Sequence, residues 1–172
     1  MKNIVLIGMS GTGKTTIGKQ LSKMLKREFV DTDNLIEKRL KMSIDEIFEK
    51  YGEEYFRNIE SIIVDEIGKK ENLIISTGGG IILKKNNVIK LKEKGILILL
   101  ESSIENIVKN LKNSEIVRPL IKGNDIYKKV ENMYNARKDL YYNAADYVVY
   151  VDDKSIDNIT YEILKLYDII NS

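Results

Sequence analysis

Gly8-Met9-Ser10-Gly11-Thr12-Gly13-Lys14-Thr15 is the stretch on which the reading of this chain turns. It matches the phosphate-binding loop pattern G-x-x-x-x-G-K-[ST] in full. Glycines let backbone N–H groups wrap around phosphate oxygens, and the helix that follows points its positive end at them. Lys14 adds a mobile positive charge, and the Thr15 hydroxyl is of the type that ligates Mg²⁺. Gly11, Thr12, Gly13, Lys14, Thr15 and Thr16 are therefore the candidate nucleotide-binding residues. The flanks suit the motif. Ile4-Val5-Leu6-Ile7 before it is a continuous apolar run, as in a buried parallel strand. Ile17, Leu21, Met24 and Leu25 after it recur at helical spacing.

Working outward, further short apolar runs at Phe29-Val30, Leu73–Ile75, Ile96–Leu100 and Tyr147–Val151 alternate with helical patterns. One helix starts near Asn34. Ser43 reads as an N-cap with Glu46 at the third helical position, a long helix follows Gly52, and Ile156–Leu166 carries the last apolar stripe. Strands alternating with helices predict an α/β fold, a five-stranded parallel sheet covered on both faces, in a single domain over residues 1–172. The polar, weakly periodic segment from about 112 to 124, which holds the single proline, Pro119, is the expected lid.

Composition narrows the chemistry. The chain has neither cysteine nor histidine, so acid–base and metal work falls to carboxylates and hydroxyls, which suit Mg²⁺. A net charge of +2 is too small to argue for a nucleic-acid partner, and none is expected; the lysines at 84, 85, 90, 92 and 94 read as the solvated face of a helix that Gly95 ends, with Val88 and Leu91 inward. No signal-like segment and no membrane-length apolar run is present, so the expected location is cytoplasmic, and a monomer is the default.

Five further features carry chemistry. Asp31-Thr32-Asp33 ends the second strand, at the sheet edge where ligands gather, and strand alternation would aim both carboxylates the same way. One would reach Mg²⁺ through water and the other a substrate hydroxyl, unless Asp33 only caps the next helix. The third strand ends in Ser76-Thr77 without a carboxylate, which makes Asp31 the expected metal partner. Arg57 and Glu60 are neighbours on a helix beside an inward stripe of Ile59, Ile62, Ile63 and Ile67, and periodicity alone is equally content with a surface ion pair. Gly78-Gly79-Gly80 calls for a ligand close to the backbone, a tight turn, or both. Arg137 sits on the core-facing stripe of Ile126, Val130, Met133, Tyr134 and Tyr141, where it needs a carboxylate from the protein or from a ligand. Arg118, beside Pro119, is placed to swing over phosphates from the lid.

Taken together, the loop at 8–15, Asp31-Thr32-Asp33, Phe56-Arg57 with Glu60, the glycine triplet, Arg118-Pro119-Leu120 and Arg137 with Leu140-Tyr141 resemble the shikimate kinase family in order and spacing over essentially the whole chain. The resemblance implies a fold of the nucleoside-monophosphate-kinase type, with a substrate-binding helical part at about 33–61 and a lid at about 112–124. It implies transfer of the ATP γ-phosphoryl group to the 3-hydroxyl of shikimate, a step towards chorismate and the aromatic amino acids. Asp33, Arg57, Gly79 and Arg137 would then hold shikimate, with Gly78 and Gly80 beside them and Glu60 holding Arg57. Asp33 would meet the reacting hydroxyl, Lys14 and Arg118 would steady the γ-phosphate, and Thr15 and Asp31 would serve Mg²⁺. Two arginines favour a carboxylated acceptor over a base. On residues alone, a gluconate or nucleotide kinase and a non-catalytic ATP-binding switch remain open, though a switch has no need of Lys14, Thr15, Asp31 and Asp33 together.

Overall fold

The computed structural model describes residues 1–113 and 125–171. Five strands, β1 (Asn3–Ile7), β2 (Glu28–Asp31), β3 (Leu73–Ser76), β4 (Gly95–Glu101) and β5 (Tyr147–Tyr150), form one parallel sheet in the order β2-β3-β1-β4-β5. The helices are α1 (Lys14–Leu25), α2 (Thr32–Leu40), α3 (Ile44–Gly68), α4 (Lys85–Lys94), α5 (Ile104–Asn113), α6 (Ile126–Ala144) and α7 (Ile156–Asn171). β1 is central, and all five of its residues are buried. That is why it reads as an unbroken apolar run: both of its faces are covered.

The period-2 geometry of each strand divides its side chains between two cores. Val5 and Ile7 of β1, Leu73 and Ile75 of β3, and Leu97 and Leu99 of β4 pack with Ile63, Val64 and Ile67 of α3, Leu91 of α4 and Val130 of α6. Ile4, Leu6, Ile74, Ile96, Ile98 and Leu100 face the other way, onto Ile17 and Leu21 of α1 and Ile159 and Ile163 of α7. The α/β class, the parallel sheet and its five strands are as the sequence implied. No described helix is long and apolar enough to cross a membrane.

Local chemistry sets the element ends. Ser43 caps α3 in a full capping box with Glu46. Gly52 interrupts that helix at φ 80°, so the stretch after it is a helix of changed direction. Gly95 does end α4, but in extended backbone rather than a left-handed cap: a Cβ there would lie 2.6 Å from the Leu91 carbonyl oxygen. Lys90, Lys92 and Lys94 pair with Asp65, Asp146 and Glu71, as befits a solvated face. Leu91 of that helix is buried and Val88 packs partly against the core. One assignment fails. Ile62 is 48% exposed and is not part of the inward stripe of α3, which runs through Phe56, Arg57, Glu60, Ile63, Val64 and Ile67. Of the expected lid, residues 112 and 113 close α5, while 114–124, with Arg118 and Pro119, lie outside the described residues.

Candidate active site

The C-terminal ends of β1, β2 and β3 converge on one crevice, as expected where the strand order reverses in a parallel sheet. The loop after β1 is held by backbone conformations that side chains disfavour. Gly8, Gly11 and Gly13 have φ of 141°, 89° and 89°, and a Cβ on Gly8 would sit 2.6 Å from the Leu100 carbonyl oxygen. Gly13 then hands over to α1, whose first residue is Lys14. The Lys14 ammonium is nearly buried and donates to the carbonyls of Gly8 (2.8 Å) and Met9 (2.7 Å), so its charge lies over the loop.

Beside the loop, the Thr15 hydroxyl donates to Asp31 Oδ2 at 2.9 Å and lies 3.4 Å from the Ser76 hydroxyl. Asp31 and Ser76 are register partners on β2 and β3, which explains the meeting. Asp31 Oδ1 meanwhile accepts the backbone N–H groups of Asp33 (3.1 Å) and Asn34 (3.2 Å). Asp31 is therefore the cap of α2, not Asp33. The expectation that strand alternation aims both carboxylates alike also fails, because α2 begins at Thr32 and Asp33 is helical. Both nonetheless line the same cavity, of about 550 Å³, together with Ser10–Thr16, Ser76 and Thr77.

Arg57 and Glu60 are not a surface pair. Glu60 has no exposed surface and Arg57 is buried, and Arg57 Nη1 donates to both Glu60 carboxylate oxygens at 3.1 Å. Glu53 holds the guanidinium from the other side, accepting from Nε at 3.3 Å and Nη2 at 3.1 Å. Burial pushes the Glu60 carboxyl up to about 7; Arg57 opposes this and the neighbouring Asp33 adds to it.

The glycine triplet joins these groups. A Cβ on Gly78 would lie 2.6 Å from Asp33 Oδ1 and 3.1 Å from Glu60 Oε1, and one on Gly80 would lie 2.3–2.4 Å from the Arg57 guanidinium. A Cβ on Gly79 would lie 3.2 Å from the backbone nitrogen and hydroxyl of Ser10, so this turn abuts the phosphate loop. The triplet thus makes room for the protein's own carboxylates and guanidinium, a third reason beside a ligand or a turn. Its backbone is pinned at two points: Gly78 N–H donates to the buried Thr32 hydroxyl at 2.9 Å, and the Gly79 carbonyl accepts from the Tyr141 hydroxyl.

Arg137 is partly exposed rather than core-facing. Its Nη1 donates to the Gly79 carbonyl at 3.5 Å, and no ion pair links it to a carboxylate among the described residues. Burial pushes Tyr141 up to about 12 while Arg137 and Arg57 pull it down; Tyr141 and Arg137 share the Gly79 carbonyl as acceptor. Asp33, Arg57, Glu60, Gly78–Gly80 and Arg137 are therefore brought together beside the phosphate loop; Arg118 lies outside the described residues.

The far half of the cavity carries no sequence motif. Asn106, Asn110 and Leu111 of α5 face Val151, Asp153 and Lys154 of the β5–α7 connection and Ile156 and Ile159 of α7 across a slot open to the phosphate loop. Asn110 reaches the loop itself, donating to the Gly11 carbonyl at 2.8 Å. No motif marks these residues; they meet only because β5 lies beside β4. Thr32 and Tyr141 were likewise visible only as a triplet member and a core residue.

A family model described as Shikimate kinase matches residues 10–168. A shikimate kinase of Caldanaerobacter subterraneus subsp. tengcongensis is 42% identical over 167 residues, covering 97% of this chain and 96% of that one. One from Clostridium botulinum strain 657 is 46% identical over 145 residues, 84% of this chain and 85% of that one. The solved shikimate kinase of Acinetobacter baumannii, in complex with shikimate, superposes with a TM-score of 0.93 at 33% identity, covering 97% of this chain and 93% of that one.

Proposed function

The chain belongs to the shikimate kinase family, and from that premise we propose how its residues divide the work of moving the ATP γ-phosphoryl group to the 3-hydroxyl of shikimate. The observation that carries the proposal is the gathering of two guanidiniums and Asp33 around Gly78–Gly80, against the Ser10 end of the phosphate loop.

Arg57 and Arg137 clamp the shikimate carboxylate. Arg57 is pre-set by Glu60 and Glu53, so little freedom is lost when the acid binds. Arg137, with no protein carboxylate of its own among the described residues, gains one from the substrate. Asp33 orients the 3-hydroxyl and accepts its proton as the oxygen bonds to phosphorus, and the leaving group is ADP. Lys14 and the backbone N–H groups of Gly11–Thr16 hold the β- and γ-phosphates, with Arg118 as the second cation that steadies the γ-phosphate. Positioning and charge stabilisation supply the acceleration, which requires no histidine.

The donor set around Thr15 and Asp31 fits Mg²⁺, with a hydroxyl and a carboxylate within 2.9 Å of each other and a second hydroxyl nearby. Among the described residues no group of three or more carboxylates gathers as a metal cage. Two protein oxygens suit an ion whose remaining ligands are phosphate oxygens and water. When bound, Mg²⁺ would neutralise charge on the β- and γ-phosphates. Every residue in this scheme comes from one chain, so a monomer is the proposed working unit.

The test is a coupled ADP-release assay with ATP and Mg²⁺, comparing shikimate, gluconate, nucleoside monophosphates and no acceptor. Turnover confined to shikimate is expected. Turnover confined to gluconate or a nucleotide would remove the acceptor roles given to Arg57 and Arg137.

A further inference from the structure

The slot between α5 and the start of α7 contains an amide whose orientation is fixed by the protein. Asn106 Nδ2 donates to Ser102 Oγ at 2.8 Å and to Asp152 Oδ1 at 3.0 Å. The Ser102 hydroxyl spends its only proton on the same Asp152 oxygen, at 2.5 Å. Asp152 Oδ2 accepts the Ser103 backbone N–H at 3.0 Å, so the carboxylate itself cannot turn away. Exchanging the amide's nitrogen and oxygen would set a carbonyl against a carboxylate. Both amide protons are therefore committed, and Oδ1, which accepts no hydrogen bond among the described residues, is what Asn106 offers the cavity it lines.

We propose that Asn106 is a specificity-determining residue for the nucleotide. Its fixed carbonyl oxygen accepts a hydrogen bond from the 6-amino group of adenine, and so selects a 6-aminopurine over a 6-oxopurine. This rests on the phosphoryl-donor reading of the phosphate loop given above. The chemistry of the slot supports it. Leu111, Val151, Ile156 and Ile159 supply apolar surface on which the flat faces of a purine can lie. Asn110 commits amide N–H to the Gly11 carbonyl, tying this side of the slot to the loop that holds the phosphates. A 6-oxo group would bring an acceptor against an acceptor that the Ser102–Asp152 pair prevents from rotating.

The experiment is calorimetric binding of three nucleoside diphosphates to the whole protein, without acceptor. ADP carries the 6-amino group, inosine diphosphate a 6-oxo group, and purine riboside diphosphate only hydrogen at that position. The expected order of affinity is ADP, then the 6-H compound about 5-fold weaker, then inosine diphosphate about 10-fold weaker than ADP. In Asn106→Ala, ADP affinity falls to that of the 6-H compound and the three ligands converge to within about 2-fold. Ser102→Ala, which keeps the amide but frees it to turn, should also narrow the ADP-to-inosine ratio. General loosening of the slot would weaken all three ligands alike and preserve their ratios, and that result overturns the proposal. Equal affinities in the wild-type protein overturn it without any variant. Because binding is read without phosphoryl transfer, failure of the kinase assay would leave this result separately interpretable.

Discussion

Substitution of Gly80 by alanine tests the acceptor site more sharply than removal of any charged residue. Gly80 has φ −99° and ψ 5°, a conformation alanine adopts without strain, so backbone preference does not confound the result. The new methyl group would stand 2.3 Å from Arg57 Nη2 and 2.4 Å from its Cζ and Nη1. Ordinary contact needs about 3.5 Å, so the guanidinium must retreat by about 1 Å. It has little slack, being held by Glu60 at 3.1 Å and by Glu53 at 3.1–3.3 Å. A shift of that size spoils one charge-assisted contact with the substrate carboxylate, of the order of 1.5–3 kcal/mol, or about 10- to 150-fold in affinity. Steady-state ADP release, with shikimate varied at saturating ATP and then the reverse, should show this as a raised shikimate KM. The ATP KM should stay within about 2-fold of wild type, since the phosphate loop is untouched. Gly52→Ala, at φ 80° and ψ 173° where only glycine sits without strain, gives a stability comparison and should cost about 1–3 kcal/mol with no side-chain clash. A natively folded Gly80→Ala enzyme whose shikimate KM stays within about 3-fold of wild type would refute the role given to Arg57.

Three further outcomes follow from the same geometry. Thr32→Val removes the acceptor of the Gly78 N–H and should raise the shikimate KM about 5-fold, while Thr32→Ser, which keeps the hydroxyl, should restore it; equal effects of the two would mean that Thr32 only fills space. Glu60, raised to about 7, binds a proton in the native state between pH 4.5 and 7 that the unfolded chain has released, so its contribution to stability declines as pH rises through that window. Denaturant unfolding at pH 5 and pH 8 should therefore show the wild-type protein losing stability relative to Glu60→Gln, by at most about 3 kcal/mol; a constant difference would show that Glu60 is ionised throughout. Arg27, buried beneath the far end of the sheet, donates to the carbonyls of Lys2, Leu73 and Asn72 and lies over the Tyr167 ring. Arg27→Ala should lower Tm by about 10 °C, from a loss of roughly 3 kcal/mol, with both KM values unaltered.

The local features were legible in the sequence because their causes are local. Gly8 to Thr15 is legible as a loop because the positive φ at Gly8, Gly11 and Gly13 is one that glycine adopts without a steric penalty. The apolar runs specify buried parallel strands, and Ser43 with Glu46 specifies a helix start. Asp31, Asp33, Arg57, Glu60 and Arg137 could be named because charge in a patterned chain is conspicuous. Their surroundings could not, since these depend on which elements become neighbours. Helical spacing left Arg57–Glu60 as ready for solvent as for the interior; only the packing of α3 over β3 and the glycine turn buried it. Strand alternation misdirected Asp33 because the helix starts at Thr32, two residues before the start near Asn34 that the sequence suggested, under the cap supplied by Asp31. The slot lined by Asn106 brings residues more than forty positions apart to one cavity, and no periodicity encodes that meeting. Residue order alone sets which chemical groups and which strands and helices this chain has. Which of those groups lose water and face one another was decided by the sheet order, because burial and charge pairing are properties of the assembled layers.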